Sequence, residues 1–166
     1  RKRDPLALKR AAGGGLLATW QLLRVVGAPT ACALCTSKPH VAVAGTAEGS
    51  VQLWDLREPS SAHASLVLDG EALALRSPAY VSDALVGESH AAPLRSVAAS
   101  ASEDDDALET ALSLATLDAD GVVLVWVLIE GAPAGKADAA DAGQAIGSKI
   151  RLIKSARVEL APTAAG

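Results

Sequence analysis

The chain has 166 residues, of which half are apolar and one fifth are charged, and its formal net charge is −4. This composition is typical of a globular protein with one core of ordinary size. The mild acidity argues against binding to nucleic acid, and the absence of any apolar run near the roughly 20 residues of a membrane span argues against membrane insertion.

The N-terminal segment is basic and contains a proline, so we expect residues 1–13 to form a surface connection. Residues 14–160 carry the repeats described below, and residues 161–166 form a short tail. Within the repeats, residues 59–89 and 131–147 break the pattern. We therefore expect an insertion at the first of these places and a flexible loop, rich in Ala, Gly and Asp, at the second.

Two cysteines, Cys32 and Cys35, form a lone C-x-x-C pair. A zinc site needs about four ligands, and a redox pair normally stands where a strand runs into a helix. Neither context surrounds this pair, and the spacing to His40 and His63 fits no common metal pattern. We therefore interpret both cysteines as small core residues, and we expect neither a metal nor a cofactor.

All three tryptophans follow a glycine by five residues, with an apolar strand-like run between. The glycine suits a tight hairpin turn, and a tryptophan at the end of the strand fills space between packed sheets. Further apolar strands precede the second and third copies, which predicts β-hairpins of one design. The three pairs are Gly15 and Trp20, Gly49 and Trp54, and Gly121 and Trp126.

A four-stranded unit that ends in Trp-Asp, here Trp54-Asp55, resembles the propeller blade of the WD-repeat family. Trp20 and Trp54 are 34 residues apart, and Trp54 and Trp126 are 72 apart, which favours one blade with a long insertion. The prediction is an all-β, partial WD40-type propeller: two full blades and the halves of two flanking ones. Strands at 149–154 and 156–160 would enter the last of these. The alternative is another antiparallel β protein, such as a sandwich.

The blade resemblance also bears on residues that resemble catalytic ones. His90 with Asp118 or Asp120 and a nearby serine suggests a catalytic triad. In many WD blades, however, a turn His, a strand Ser or Thr, a turn Asp and the Trp form a structural network. The resemblance implies that role for His90, Ser113, Asp118 or Asp120, and Trp126, with Gly121 in the turn. It therefore implies no enzyme. The Trp54 blade departs from this pattern, since its turn carries Glu48 where Asp is usual.

Residues 44–59, AGTAEGSVQLWDLREP, resemble the WD-repeat dynein intermediate chains, in particular those of the dynein-2 motor of intraflagellar transport. Residues 75–82 and 115–127 agree with this resemblance. It implies a non-catalytic subunit whose propeller binds the tail of a dynein-2 heavy chain. The implied partners are a second intermediate chain, dynein light chains and intraflagellar transport train proteins. The implied location is the cytoplasm and the cilium or flagellum.

Two other functions compete for the same residues. The segment from Trp54 to Arg57 matches the WD-x-R box of substrate receptors in cullin ubiquitin ligases, with Arg57 as the docking residue. Arg57 would otherwise pair with nearby acids such as Asp55 or Glu58. The third possibility is a coat or transport scaffold unrelated to dynein. An acidic run at 102–106 is interpreted as a solvated loop rather than a cation site.

Overall fold

Three four-stranded sheets make up the fold. The computed structural model describes residues 6–10, 19–68, 70–82, 89–101, 112–131 and 143–160. The sheets pack face to face, which is the arrangement of blades in a partial β-propeller. This confirms the predicted all-β class. No helical segment in the described part of the chain has the length and apolar character that crossing a bilayer requires.

The middle sheet is an antiparallel meander built around the second Gly-to-Trp hairpin. Its strands, in spatial order, are β3 (Pro29–Leu34), β4 (Val41–Thr46), β5 (Val51–Asp55) and the short β8 (Tyr80–Val81). Every residue of β4 and β5 is buried. A strand packed on both faces is expected to be a continuous apolar run, as Val41–Gly45 is, rather than an alternating one.

The third sheet contains the later hairpin and lies on one face of the middle sheet. Its spatial order is β9 (Leu94–Ala101), β10 (Leu112–Asp118), β11 (Val122–Glu130) and β12 (Ile150–Glu159). Along β10, even-numbered residues are buried and odd-numbered ones are more accessible. The buried side of this sheet joins a core that includes Leu53, Leu94, Leu114 and Trp126.

The first sheet lies on the opposite face of the middle sheet. Its spatial order is β1 (Leu6–Arg10), β2 (Thr19–Leu23), β7 (Glu71–Arg76) and β6 (Ala64–Leu68). A second core joins the two sheets through Leu23, Val25, Ala42, Ala44 and Trp54. The middle sheet therefore buries Trp54 against one neighbour, while Trp126 of the third sheet packs against its other face.

Both breaks in the repeat reach back to the sheet before them. The β6–β7 hairpin leaves the middle sheet after β5 and adds β7 parallel to β2, pairing Leu22 with Leu75. Residues 143–145, from the loop before β12, lie along β8: Val81 donates to Gly143 O, and Ala145 donates to Ala79 O, both at 2.8 Å. We call this second contact the backward clasp. Each insertion therefore completes the outer edge of the preceding sheet.

Three sequence expectations need correction. Residues 6–10 form strand β1 rather than a loose connection, because the Leu6, Leu8 alternation suits a strand despite the basic charge. The two strands expected at 149–160 are one, β12, with a register irregularity in its pairing beside Trp126; it completes the third sheet and begins no fourth blade. Finally, Trp126 stands in the middle of β11 rather than at its end, since the apolar pattern continues to Ile129.

Candidate functional site

A buried hydrogen-bond network crosses the third sheet. His90 Nδ1 lies 2.9 Å from Asp118 Oδ2, and His90 Nε2 lies 2.7 Å from Thr116 Oγ1. Trp126 Nε1 donates to the same hydroxyl oxygen at 2.8 Å. With a neutral imidazole, one direction of donation gives all four side chains a partner: Trp126 donates to Thr116, Thr116 to His90, and His90 to Asp118. The network thereby ties the turn before β9 to both strands of the hairpin.

Asp118 also organises the hairpin turn. Its Oδ1 accepts from the backbone N–H groups of Asp120 at 3.0 Å and Val122 at 2.9 Å. Burial raises the pKa of the Asp118 carboxyl, but the bonds from Val122, His90 and Asp120 outweigh burial and hold the pKa below its ordinary value of 3.8. The ionised carboxylate is therefore the form that this turn stabilises.

The structure places two of the predicted network residues elsewhere. Ser113 lies three positions before Thr116 in β10, so the two side chains point to opposite faces of the sheet, and only Thr116 faces His90. The expected hydroxyl of Ser113 is therefore replaced by that of Thr116. Asp120 is exposed and contributes its backbone N–H alone to the bonds at Asp118.

The order Thr116, His90, Asp118 has the connectivity of a nucleophile, base and orienting acid. Its surroundings differ from those of a catalytic site. The His90 side chain is fully buried, and Thr116 is 1% exposed. The hydroxyl already contacts Trp126, and it lies 3.3 Å from the Leu124 carbonyl. A substrate would have to displace the sheet packing to reach it, so this arrangement is suited to holding the hairpin.

The middle sheet satisfies the same positions with different chemistry. Thr46, the counterpart of Asp118, accepts the backbone N–H four residues on, from Ser50, at 3.2 Å. Ala44 stands where Thr116 does, ten residues before the Trp, and offers no acceptor. Trp54 Nε1 instead donates to the carbonyl of Arg76 in β7 at 3.2 Å. The insertion hairpin thus supplies the acceptor that the middle sheet lacks.

Gln52 and Glu48 of the middle sheet bind the chain that enters β3. The Gln52 side chain is fully buried, and its Oε1 accepts from the Val26 N–H at 2.9 Å. Glu48 accepts from the Ala28 N–H at 3.0 Å. Glu48 is therefore the counterpart of the exposed Asp120, six residues before the Trp, while Thr46 is the counterpart of Asp118. No sequence pattern pointed to either contact, because each joins residues at least 20 positions apart.

Two of the three pattern glycines lie in the described chain, and both have left-handed backbone. Gly49 has φ +84° and Gly121 has φ +80°. A side chain on Gly49 would overlap the carbonyl of His90, so this turn also seats the start of the next repeat. Gly15 lies outside the described residues. Trp20 stands in β2, where its backbone pairs with Lys9.

The predicted docking residue Arg57 is held by acids. Its Nε and Nη2 donate to Asp55 at 2.9 and 2.8 Å, and its Nη1 lies 3.4 Å from Glu130 of the third sheet. Burial raises the pKa of Asp55, but bonding to Arg57 outweighs this and lowers it overall. Glu130 also binds Lys38 at 3.0 Å and His40 at 3.3 Å. The guanidinium therefore links two sheets, with its side chain 48% exposed.

The cysteine pair divides between surface and core. Cys35 is buried, and burial raises the pKa of its thiol to about 11, so it stays protonated. Cys32 is exposed, which corrects the expectation that both are core residues: only alternate positions of β3 turn inward, and Cys32 is on the outward side. Within the described residues, His, Cys, Asp and Glu do not gather in threes that would hold a metal ion.

The sequence comparisons give one relationship. No protein-family model matches the chain. Over 150 aligned residues, covering 79% of the chain, it is 32% identical to cytoplasmic dynein 2 intermediate chain 1 of Homo sapiens and 33% identical to that of Mus musculus. The chain spans 14% and 15% of the lengths of these two proteins. As the resemblance predicted, the chain is therefore related in sequence to the dynein-2 intermediate chains.

Proposed function

We propose that the protein is a non-catalytic intermediate chain of the dynein-2 motor, and that its propeller binds the tail of the heavy chain during retrograde intraflagellar transport. The observation that carries the proposal is the sequence relationship to cytoplasmic dynein 2 intermediate chain 1, which extends over 79% of the chain. The blade framework supports it, because such sheets present rims and loops for protein contacts. On this proposal the protein belongs to a cytoskeletal complex of cytoplasm and cilium.

A non-catalytic role is consistent with the two polar clusters of the chain. The His90 network is buried, and Arg57 is bound to Asp55 and Glu130. The bonds of Arg57 also weaken the cullin-receptor alternative, because the Arg57 guanidinium would have to leave Asp55 and Glu130 in order to dock. Within the WD-repeat interpretation, the third sheet is the unit with the family's hydrogen-bond network, and the middle sheet is a variant of it.

Affinity purification from ciliated cells tests the proposal. The tagged full-length protein is expected to recover a dynein-2 heavy chain, a second intermediate chain, light chains and transport-train proteins. A form that lacks residues 19–160 is expected to lose the heavy chain and keep the light chains. Recovery of a cullin adaptor that is lost on Arg57→Ala would contradict the proposal, as would heavy-chain recovery without residues 19–160.

A further inference from the structure

A cleft of about 850 Å³ opens at the ends of strands β5 and β11. One wall is the start of the insertion hairpin, with Pro59 and His63; the other is the backward clasp and the turn after it, with Ile146 and Lys149. Arg57 and Glu130 lie between the walls. The two walls thus come from the insertion and from the loop before β12, rather than from the regular strands of the sheets. Irregular segments on a rigid framework commonly carry binding sites.

Each of the three carboxylates that line the cleft already has a cationic or histidine partner. Asp55 is bonded to Arg57, Glu130 is shared by Lys38, His40 and Arg57, and Glu58 lies 3.3 Å from His63 with the Arg76 guanidinium behind it. Lys149 is different: no carboxylate of the described residues is within ion-pair distance of its ammonium group. The wall therefore offers an ammonium group to an incoming anion.

Beside this cation the cleft offers an aliphatic contact. Ile146 is 69% exposed, although isoleucine is among the residues most often buried. Its turn is fixed, because Gln144 Nε2 donates to the Ser148 carbonyl at 2.8 Å and the Ser148 N–H donates to the Ala145 carbonyl at 3.0 Å. Pro59 and Pro78 of the cleft lining add further apolar surface. An isoleucine on a fixed turn and an ammonium group without a carboxylate partner among the described residues thus line the same cleft, a combination that a peptide can use.

We propose that this cleft binds an extended segment of a partner polypeptide, which places a carboxylate side chain on Lys149 and a neighbouring aliphatic side chain on Ile146. The ammonium group and the isoleucine supply the two halves of this recognition. The carboxylates of Asp55 and Glu130 disfavour a polyanion such as nucleic acid, because they would repel a row of phosphates, whereas one or two carboxylates can avoid them. The inference does not depend on the proposed motor function.

Two fluorescein-labelled, capped hexapeptides test the charge half of the inference with the full-length protein. One has the sequence Ala-Leu-Glu-Leu-Glu-Ala, and the other has Gln in place of both Glu residues. Fluorescence anisotropy is expected to show about tenfold tighter binding of the Glu peptide, as a charge-assisted contact provides. The preference should weaken as salt is raised. Equal binding of the two peptides would overturn the inference.

Two variants and their matched controls locate the binding. Lys149→Gln is expected to abolish the preference for the Glu peptide, and Ile146→Ser to weaken both peptides. The controls are Arg95→Gln in β9 and Val67→Ser in β6, two exposed residues outside the cleft. The exposed fraction of Val67 is 68%, which matches the 69% of Ile146. Neither control should change binding, and all four variants should keep the melting temperature. A control that weakens binding as much as its partner variant would overturn the proposed location.

Discussion

The Thr116 hydroxyl accepts from Trp126 and contacts His90, so one small group joins three segments of the third sheet. Thr116→Val keeps a similar shape but leaves the Trp126 N–H and a His90 nitrogen buried without this partner. An unsatisfied buried polar group costs about 1–3 kcal/mol. We therefore expect Thr116→Val to lower the free energy of unfolding by at least that amount in urea denaturation.

Two matched substitutions separate the lost hydroxyl from the changed packing. Thr116→Ser retains the hydroxyl and is expected to retain most of the stability. Ser113→Val lies on the opposite face of the same strand and should change the free energy of unfolding by less than about 0.5 kcal/mol. A larger loss with Ser113→Val than with Thr116→Val would contradict the assignment of the network hydroxyl.

Asp118 gives the fold a defined acid sensitivity. The folded pKa lies below the ordinary value, so the ionised carboxylate adds stability above pH of about 4, which is lost as the pH falls toward the folded pKa. Asp118→Asn removes this contribution. We expect its melting temperature to differ most from that of the unchanged protein near pH 7, and the difference to narrow below pH of about 4.

The control for this measurement is Asp120→Asn, which alters an exposed carboxyl in the same turn. Its melting temperature should follow that of the unchanged protein across the same range. A difference in melting temperature between Asp118→Asn and the unchanged protein that grows in acid would contradict the prediction. It would mean that the folded protein stabilises the protonated carboxyl.

The residue types of the network were predictable, and their partners only in part. The blade resemblance implies a common network for His90, Asp118 and Trp126, and in the structure Thr116 and His90 join these residues. The family pattern allows Ser or Thr in the middle strand, so it does not by itself distinguish Ser113 from Thr116. Strand alternation decides between the two hydroxyls: Thr116 shares even parity with Asp118, while Ser113 does not. Contacts such as Gln52 with Val26 depend on how sheets are placed, which no local pattern carries.

At the scale of elements, the insertion at 59–89 and the loop before β12 each pair with an edge of the preceding sheet. The strand that follows β2 along the chain, β3, belongs to the middle sheet. The free side of β2 pairs instead with β7, in parallel orientation. The middle sheet has an outer strand of only two residues, and residues 143–145 extend it. Composition predicted the insertion and the loop, because both interrupt the apolar repeat. Their return to the preceding sheet was not predictable, since it depends on which edges are left unpaired.

The backward clasp depends on Gly143. Its φ is +68°, and a side chain there would overlap the carbonyl oxygen of Val81. Gly143→Ala is therefore expected to detach the clasp from β8. The Val81 and Ala145 amides, which make its two backbone bonds, should then exchange hydrogen roughly tenfold faster in an exchange measurement.

Gly147 provides the comparison for this prediction. It also has positive φ, at +83°, but a side chain there would meet open space. Gly147→Ala thus carries the backbone strain without the overlap. Exchange at Val81 should accelerate much less than in Gly143→Ala. Similar acceleration in the two variants would mean that backbone strain alone, rather than overlap with Val81, causes the faster exchange in Gly143→Ala.

At the scale of the whole molecule, the sheets are joined by apolar cores and, at one end, by charge. The face of the middle sheet with Val41, Val43 and Leu53 meets the third sheet, and the face with Ala42 and Trp54 meets the first. The period-two pattern within strands predicted the sheets. It did not predict the ion cluster at Glu130, because that cluster unites residues more than 70 positions apart.

Glu130 of the third sheet binds Lys38, His40 and Arg57, all of the middle sheet. Burial raises the pKa of Glu130, but its contacts with Lys38 outweigh this and lower it overall, so the carboxylate is ionised at neutral pH. Partly exposed pairs each contribute about 0.2–1 kcal/mol. Glu130→Gln is therefore expected to lower the free energy of unfolding by about 1 kcal/mol at low salt, and by much less near 1 M salt, where charges are screened.

A double-mutant cycle of Glu130→Gln with Lys38→Gln should give a favourable coupling energy. Glu159→Gln alters an exposed pair within β12 and should cost almost nothing. A cost at Glu130 that is independent of salt would show that packing, rather than charge, joins the two sheets at this end.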